Sequence, residues 1–301
     1  MRESGEMSVF SRMFLGASIF LGAFLLFSLE PLMGKYLLPW FGGSSAVWTT
    51  AMFFFQFMLL AAYAYADLGS RFLNSRVQAA LHAALLAAGV LFLSILPATS
   101  ESLLPTDNPV LRLLAVLALS VGLPFFILAT RAPLLQSWVA RLGTKRSPYR
   151  LYALSNLASI LGLVTYPIFV EPSLSLHAQA RVWSVGFLIY AAATLGFMIS
   201  KKIWRQKNAL LLAAQEIPKE KIQPRRAALW VLLSFIPSTL FLGTTSVITQ
   251  DIAPIPFLWV MPLLLYLLSF VLCFESPRWY NRARILPAYL LAMICLAPLL
   301  L

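Results

Sequence analysis

Nine apolar stretches alternate with polar segments along the chain. Most of them have close to the ~20 residues that an α-helix needs to cross a hydrocarbon core of ~30 Å. The pattern therefore predicts about nine membrane-spanning helices. The predicted spans are 13–38, 47–66, 77–96, 111–132, 151–170, 182–200, 229–248, 257–274 and 286–301.

Basic residues are distributed unevenly between the two ends of these spans. If the N-terminus is cytoplasmic, 20 of the 23 lysines and arginines fall on that side, and only Lys35, Arg112 and Arg181 lie on or near the other. Basic segments stay on the cytoplasmic side during insertion, so the pattern predicts a cytoplasmic N-terminus. On this assignment Arg131 belongs to a basic cytoplasmic connection, 131–150. The sequence thus predicts an all-α, polytopic transmembrane helical bundle.

The composition agrees with a membrane protein. Hydrophobic residues make up 60% of the 301 residues and charged residues only 11%, which is more apolar surface than a soluble core of this size can bury. The basic residues behind the net charge of +12 lie in short segments beside apolar helices. This pattern is typical of protein segments that contact anionic lipid headgroups. We therefore expect the lipid bilayer as a partner, and no nucleic acid. Cys273 and Cys295 lack the spacing of a disulfide framework or a zinc site, and we expect neither a metal nor a cofactor.

A long basic segment divides the predicted spans into six followed by three. The division predicts a first six-helix membrane bundle at 1–200, a basic cytoplasmic linker at 201–226 and the start of a second, incomplete bundle at 227–301. The middle of the linker is interpreted either as a short helix on the membrane surface or as part of a flexible segment. Because the last span stops without a polar or aromatic flank, we expect the chain to be the N-terminal part of a longer protein.

Glu30 is the only acidic residue well inside a predicted span. A carboxylate is costly in hydrocarbon, so Glu30 should face protein or water. Lys35 can pair with it only if the helix unwinds near Pro31, because residues five apart on a regular helix do not face each other. Two interpretations stay open: a proton- or cation-binding carboxylate in a cavity, or a structural carboxylate that caps a broken helix. Glu30 and Lys35 are candidates for a substrate or proton site.

Two uncharged polar residues lie inside other predicted spans. Gln56, near the middle of the second span, needs a hydrogen-bonding partner in another helix or in a substrate. Asn156 lies beside a small-residue face formed by Ser155, Ser159 and Gly162 in the fifth span. Small residues let helices approach closely. Asn156 itself is a candidate either for a ligand contact or for an inter-helix hydrogen bond.

The seventh predicted span ends in a polar run, 243–251, which is followed by Pro254 and Pro256. A polar end followed by prolines indicates either a broken helix that lines a cavity or a tight outer turn. Thr245 and Asp251, both in this run, complete the candidate substrate or proton site.

Enzyme motifs are missing from the sequence. There is no phosphate-binding loop, no GxGxxG, no Gly-x-Ser-x-Gly and no HExxH. His82 and His177 have no nearby carboxylate or cysteine partners in the sequence. We therefore assign no catalytic residue and no metal ligand.

Asp67 and Arg71, one helical turn apart, follow the second predicted span, and Arg76 precedes the third. The arrangement resembles the acidic-then-basic loop between spans two and three of major facilitator transporters, which in that family is a cytoplasmic latch between helices. The family's glycine before the arginine is Ser70 here. The resemblance implies a candidate cytoplasmic latch at Asp67 and Arg71.

A series of short runs carries a second resemblance, beginning with the Glu-Pro-Leu-Met-Gly-Lys sequence at 30–35. The runs are 30–35, 38–39, 42–48, 54–56, 63–66, 152–157, 166–167, 171–172, 250–253 and 256–270. In this order they resemble the membrane part of the fused major-facilitator/spermidine-synthase-like proteins, which are mostly bacterial. The resemblance implies a major-facilitator-like bundle in the plasma membrane, the bacterial inner membrane. It also implies a downstream soluble α/β domain of the aminopropyl-transfer fold, which these residues do not include.

The leading hypothesis is therefore an integral membrane module of a spermidine-synthase-like fusion protein. It is non-catalytic by itself, anchors the synthase-like domain, and moves or presents a small cationic substrate such as a polyamine. The alternative is an independent secondary transporter of a small molecule, with Glu30, Gln56, Asn156 and the polar run at 244–251 along its path.

Overall fold

The computed structural model describes residues 9–93, 96, 108–141, 149–199, 223–251, 256–275 and 281–296. Within these ranges the structure is all-helical and contains no strand. The α-helices are α1 (Val9–Phe41), α2 (Ser45–Phe72), α3 (Ser75–Leu91), α4 (Pro109–Leu117), α5 (Leu123–Arg141), α6 (Tyr149–Thr165), α7 (Glu171–Ser173), α8 (Leu176–Ile199), α9 (Pro224–Asp251), α10 (Pro256–Glu275) and α11 (Arg282–Leu296). Two π-helical segments complete longer rods: Ala118–Gly122 joins α4 to α5, and Tyr166–Val170 joins α6 to α7.

Local sequence signals explain several of the helix ends. Gly42, which follows α1, has a φ of +75°, a conformation that favours glycine. The side chain of Asn74 accepts a hydrogen bond from the backbone N–H of Val77 and caps the start of α3. Asn108 caps α4 in the same way, with Pro109 in the first turn, where its missing N–H is tolerated.

Each predicted span overlaps a helix or a rod of joined helices. Six stretches are long and apolar enough to cross a membrane. They are Arg12–Phe41, Ser45–Phe72, Pro109–Leu135, Leu151–Ser173, Leu176–Ile199 and Pro224–Val247. Two further apolar helices, Arg76–Leu91 and Val260–Ser269, are shorter. The multi-pass helical architecture is therefore confirmed at the level of six candidate spans.

Helix α1 lies at the centre of the bundle and packs most extensively against α6 and α8. A Cβ atom on Gly162 would lie 2.6 Å from the carbonyl oxygen of Phe24, so α6 approaches the α1 backbone where only glycine fits. On the α8 side, Trp183 Nε1 donates to the carbonyl of Leu25 at 2.9 Å. These contacts join α6 and α8 to the buried central helix α1.

The helices after the 201–226 segment are attached less tightly. α10 packs on α6, and α9 contacts α10 and α2. None of the apolar window of Pro224–Val247 is buried, and the described side chains of α11 are exposed. Exposed apolar faces of this size suit contact with lipid chains. Residues 201–222 of the predicted linker lie outside the described residues.

Two local expectations need correction. α1 continues without a break through Pro31, so Glu30 does not cap a broken helix. α9 is also continuous up to Asp251, but the connection to α10 at 252–255 lies outside the described residues, so the broken helix and the tight turn there both stay predictions. Finally, α5 extends to Arg141, so Arg131 belongs to a helix and not to a loop. In α1 and α5 the neighbouring helices provide enough packing for a helix to continue past a proline.

Candidate functional site

A cavity of about 590 Å³ lies between the helices of the bundle. Helices α1, α2, α5, α6 and α10 all contribute to its wall. The polar lining residues are Tyr63, Arg131, Tyr152, Ser155, Asn156, Ser159 and Tyr266. The remaining lining is aliphatic apart from Phe27. The cavity is therefore mainly apolar, with a single arginine in its wall.

Arg131 is 6% exposed and lies inside one of the candidate spans. Its Nη1 donates to the carbonyl of Ile19 on α1, and its Nη2 donates to Ser155 Oγ on α6 at 3.2 Å. Its Nε is buried without a hydrogen-bond partner. Across the described ranges, Arg131 forms no ion pair. The guanidinium is thus held by neutral acceptors, and its charge has no counter-ion there.

Gly22 provides the space through which the Arg131 side chain reaches α1. A Cβ atom at this position would lie 2.5 Å from Arg131 Cδ and 2.9 Å from Tyr190 Cε2. Side-chain atoms essentially never approach so closely, so any larger residue would displace the arginine. The sequence positions of Gly22 on α1 and Arg131 on α5 are therefore structurally coupled.

Asn156 lines the same cavity as Arg131 and is half-buried. Among the residues that the structure describes, its amide has no hydrogen-bond partner. Of the two interpretations given by the sequence, the inter-helix hydrogen bond is not formed here. The amide is available for a ligand.

A second cavity, of about 390 Å³, adjoins the first and contains Glu30 and Gln56. Its aromatic lining residues are Phe27, Trp48, Phe55, Phe241 and Tyr266. The two cavities share four wall residues: Phe27, Leu59, Tyr266 and Leu267. Glu30 makes no ion pair or hydrogen bond within the described ranges. The bundle therefore contains one cavity lined by an arginine and a second lined by a glutamate, with residues of α1, α2 and α10 common to both.

Lys35 does not accompany Glu30. Its Nζ lies 3.2 Å from Glu171 Oε1, at the start of α7, and the two side chains are about one-third exposed. Because α1 stays helical, the five-residue spacing keeps Lys35 away from Glu30. The ion pair links α1 to the end of the α6 rod, outside both cavities.

Thr245 and Asp251 are not brought to the other candidates. Thr245 is buried, its hydroxyl donates to the carbonyl of Phe241, and it lines a third cavity of about 320 Å³ between α2 and α9, which shares Trp48 and Met52 with the Glu30 cavity but contains neither Glu30 nor Gln56. The side chain of Asp251 lies outside the described residues. The structure therefore groups Glu30 with Gln56, and Asn156 with Arg131.

The candidate latch lies in the last turn of α2. Arg71 Nε is 2.8 Å from Asp67 Oδ2, and both side chains are exposed. The pair connects two positions of one helix and no second helix within the described residues. A latch between helices at Asp67 and Arg71 stays a prediction.

Arg131 is the functional candidate that the sequence interpretation missed. The assignment of basic residues to the two sides of the membrane placed Arg131 in a cytoplasmic loop. However, Ala132, Leu134 and Leu135 continue the apolar pattern for another helical turn. That continuation was the available signal.

The histidines and acidic residues do not form a metal site in the part of the chain that the structure describes. His82 is buried with its ring edge-on to Trp138, at a centroid distance of 6.1 Å. The Trp138 Nε1 atom donates to Gln78 Oε1 at 3.0 Å. These three side chains form a buried packing cluster.

The described residues define the class of the protein: an all-helical protein with six helices able to cross a membrane and with two adjoining cavities between its helices. No protein family, curated protein or solved structure matches the chain.

Proposed function

We propose that the chain is a secondary-transporter-type membrane protein that binds a small molecule between its helices and moves it across the plasma membrane. The proposal includes a major-facilitator-like bundle of nine spans with a cytoplasmic N-terminus. Its support is the overlap of all nine apolar segments with helical rods and the one-sided distribution of basic residues.

The main support for the proposal is the pair of adjoining cavities, one lined by an arginine and the other by a glutamate. Arg131 lines one cavity and Glu30 the other, and neither forms an ion pair within the described residues. Charged side chains inside membrane spans are rare and expensive, and they mark substrate and ion pathways. A protein that only anchored a partner domain would need neither charge.

The two charges are far enough apart to have separate roles. Arg131 contacts α1 at Ile19 and Gly22, which are 11 and 8 residues before Glu30. At 1.5 Å per residue, these spacings correspond to about 12–16 Å along the helix. We assign solute binding to the Arg131 cavity and proton or cation binding to Glu30. Exchange of a proton at Glu30 would then be the step that couples transport to an ion gradient.

Glu30→Gln tests this assignment, because glutamine keeps the shape of the side chain and removes the ionisable group. The full chain is reconstituted in liposomes, and uptake of a labelled aromatic anion (phenylacetate) and of a labelled polyamine cation (spermidine) is followed under an imposed pH gradient. Uptake by protein-free liposomes is subtracted, because the neutral form of phenylacetate crosses bilayers unaided. We expect Glu30→Gln to lower gradient-driven uptake at least about tenfold, which corresponds to ~1.4 kcal/mol. The matched control is Glu171→Gln, which makes the same chemical change outside both cavities. Equal uptake by wild type and Glu30→Gln would refute the coupling role.

The membrane module of a spermidine-synthase-like fusion is the second candidate. The Glu30 cavity favours it, because one carboxylate surrounded by aromatic rings suits an ammonium group. On this hypothesis spermidine binds and Glu30→Gln weakens its binding, but liposomes show no uptake. Activity would require a downstream synthase-like domain. Binding without uptake therefore separates the second candidate from the first.

A further inference from the structure

The charge of Arg131, which is buried between the helices, has no counter-ion in the part of the chain that the structure describes. Arginine carries five N–H donors, and its only hydrogen bonds in the described residues go to Ile19 O and Ser155 Oγ. Neutral acceptors satisfy part of the hydrogen bonding but do not cancel the charge. Buried charges in proteins are normally paired or bind a charged ligand. No described side chain supplies the negative charge, which leaves Arg131 available to an anionic ligand in the cavity.

The lining of the cavity restricts what that ligand can be. Aliphatic side chains from α1, α2, α5 and α6 form most of the wall, together with the aromatic rings of Phe27, Tyr63, Tyr152 and Tyr266. A small, strongly hydrated anion would lose its water without gaining enough hydrogen bonds. A ligand with an apolar body fills the same space favourably.

A second polar group faces the cavity near the arginine. Ser155, which accepts from Arg131, directly precedes Asn156 on α6, and both residues line the cavity. Because the Asn156 amide is unpartnered among the described residues, it can donate to a ligand oxygen that Arg131 also holds. Arg131 and Asn156 thus both contribute N–H donors to the wall of one mainly apolar space.

We infer that the Arg131 cavity binds an organic monocarboxylate with an apolar, preferably aromatic, body. The carboxylate lies against the Arg131 guanidinium and the Asn156 amide, and the body packs against the tyrosines and leucines of the wall. The inference names the solute class of the transport function proposed above and rests on that function. It differs from the cationic substrate of the sequence hypothesis, which would meet repulsion from Arg131 in this cavity.

The first test uses the wild-type chain and three probes with the same aromatic body. Phenylacetate is an anion, phenylacetamide is neutral and phenethylammonium is a cation. Binding is measured by calorimetry on the purified full chain in detergent. We expect phenylacetate to bind about 10- to 100-fold more tightly than phenylacetamide, the range for a charge-assisted hydrogen bond. Equal binding of the three probes would overturn the inference. If inorganic phosphate bound as tightly as phenylacetate, the claim that the ligand has an apolar body would be wrong.

Arg131→Gln then assigns the preference to a residue. In this variant we expect phenylacetate to bind no better than phenylacetamide does, whereas Arg131→Lys keeps part of the preference. The matched control is Arg181→Gln on α8, since Arg181 is exposed and lies outside the cavities. Thermal unfolding without ligand provides the second readout. If Arg131 is only structural, Arg131→Gln unfolds at a much lower temperature and phenylacetate does not stabilise the wild type.

Uptake separates failure of this inference from failure of the transport proposal. If spermidine is transported in a Glu30-dependent way while phenylacetate does not bind, the carboxylate inference is wrong and the transport proposal stands. If phenylacetate binds through Arg131 but no probe is transported, the site is right and the transport proposal is wrong. Glu30-dependent uptake of phenylacetate supports both.

Discussion

Arg131 and Lys35 show two different ways in which this bundle holds a positive charge near α1. Lys35 is about one-third exposed and lies 3.2 Å from a carboxylate, Glu171. Arg131 is 6% exposed and meets only a carbonyl, a hydroxyl and the walls of a cavity. Within the described residues, the charge near the surface is thus paired and the deeper one has no ion-pair partner. Because an unpaired charge is costlier at depth, the difference supports the proposed ligand site at Arg131 and a structural role for Lys35.

Gly22→Ala should have the largest effect on this comparison. The added methyl group would collide with Arg131 Cδ and Tyr190 Cε2, and overpacking of this kind typically costs about 1–3 kcal/mol. We expect a lower unfolding temperature and loss of phenylacetate binding. The measurement is thermal unfolding with and without the probe.

Gly16→Ala is the matched control on the same helix. An added Cβ at Gly16 meets no atom within 4 Å, so stability should be unchanged or slightly higher. If both variants lose the same stability, the space for Arg131 is not the cause.

Breaking the Lys35–Glu171 pair should have a smaller effect. Partly exposed ion pairs contribute about 0–1 kcal/mol, so Lys35→Gln and Glu171→Gln should each cost little. A double-mutant cycle on unfolding measures the coupling between them, expected below about 1 kcal/mol. A coupling of several kcal/mol would show that the pair stabilises the fold as strongly as a buried ion pair. The contrast between a weakly coupled Lys35 and a buried Arg131 would then be wrong.

Asp67→Asn should have the smallest effect. Exposed pairs one helical turn apart contribute about 0.3–0.5 kcal/mol, so unfolding should barely change. Uptake in liposomes is the informative readout. A strong loss of uptake at unchanged stability would support the latch that the family resemblance implies, whereas unchanged uptake would argue against it.

The sequence predicted the helical class and the approximate positions of the rods because apolar length is a local property. It also predicted the close packing of α6, since the small residue Gly162 allows the approach to Phe24 that the structure contains. It did not predict that Arg131 lies inside the bundle. Whether a basic residue faces a loop or a cavity depends on the helices that surround it. The rule that assigns basic residues to the cytoplasm takes no account of tertiary packing.

The ion-pair partner of Lys35 could not be predicted from the sequence either. The five-residue spacing excluded Glu30 on a regular helix, which the structure bears out. Nothing in a single sequence indicated that Glu171, 136 positions later, would lie within 3.2 Å. Pairing between distant helices depends on their packing angle and rotation, and these arise only when the whole bundle assembles.

The π segment Tyr166–Val170 determines the direction in which the side chains of α7, the end of the same rod, point around the helix axis. A π turn accommodates an extra residue, and each residue of an α-helix advances by about 100° around the axis. If the same five residues were wound as α-helix, Glu171 would turn by about that angle and leave the side that faces Lys35. The angular setting of one wide turn therefore decides whether the ion pair between α1 and α7 exists.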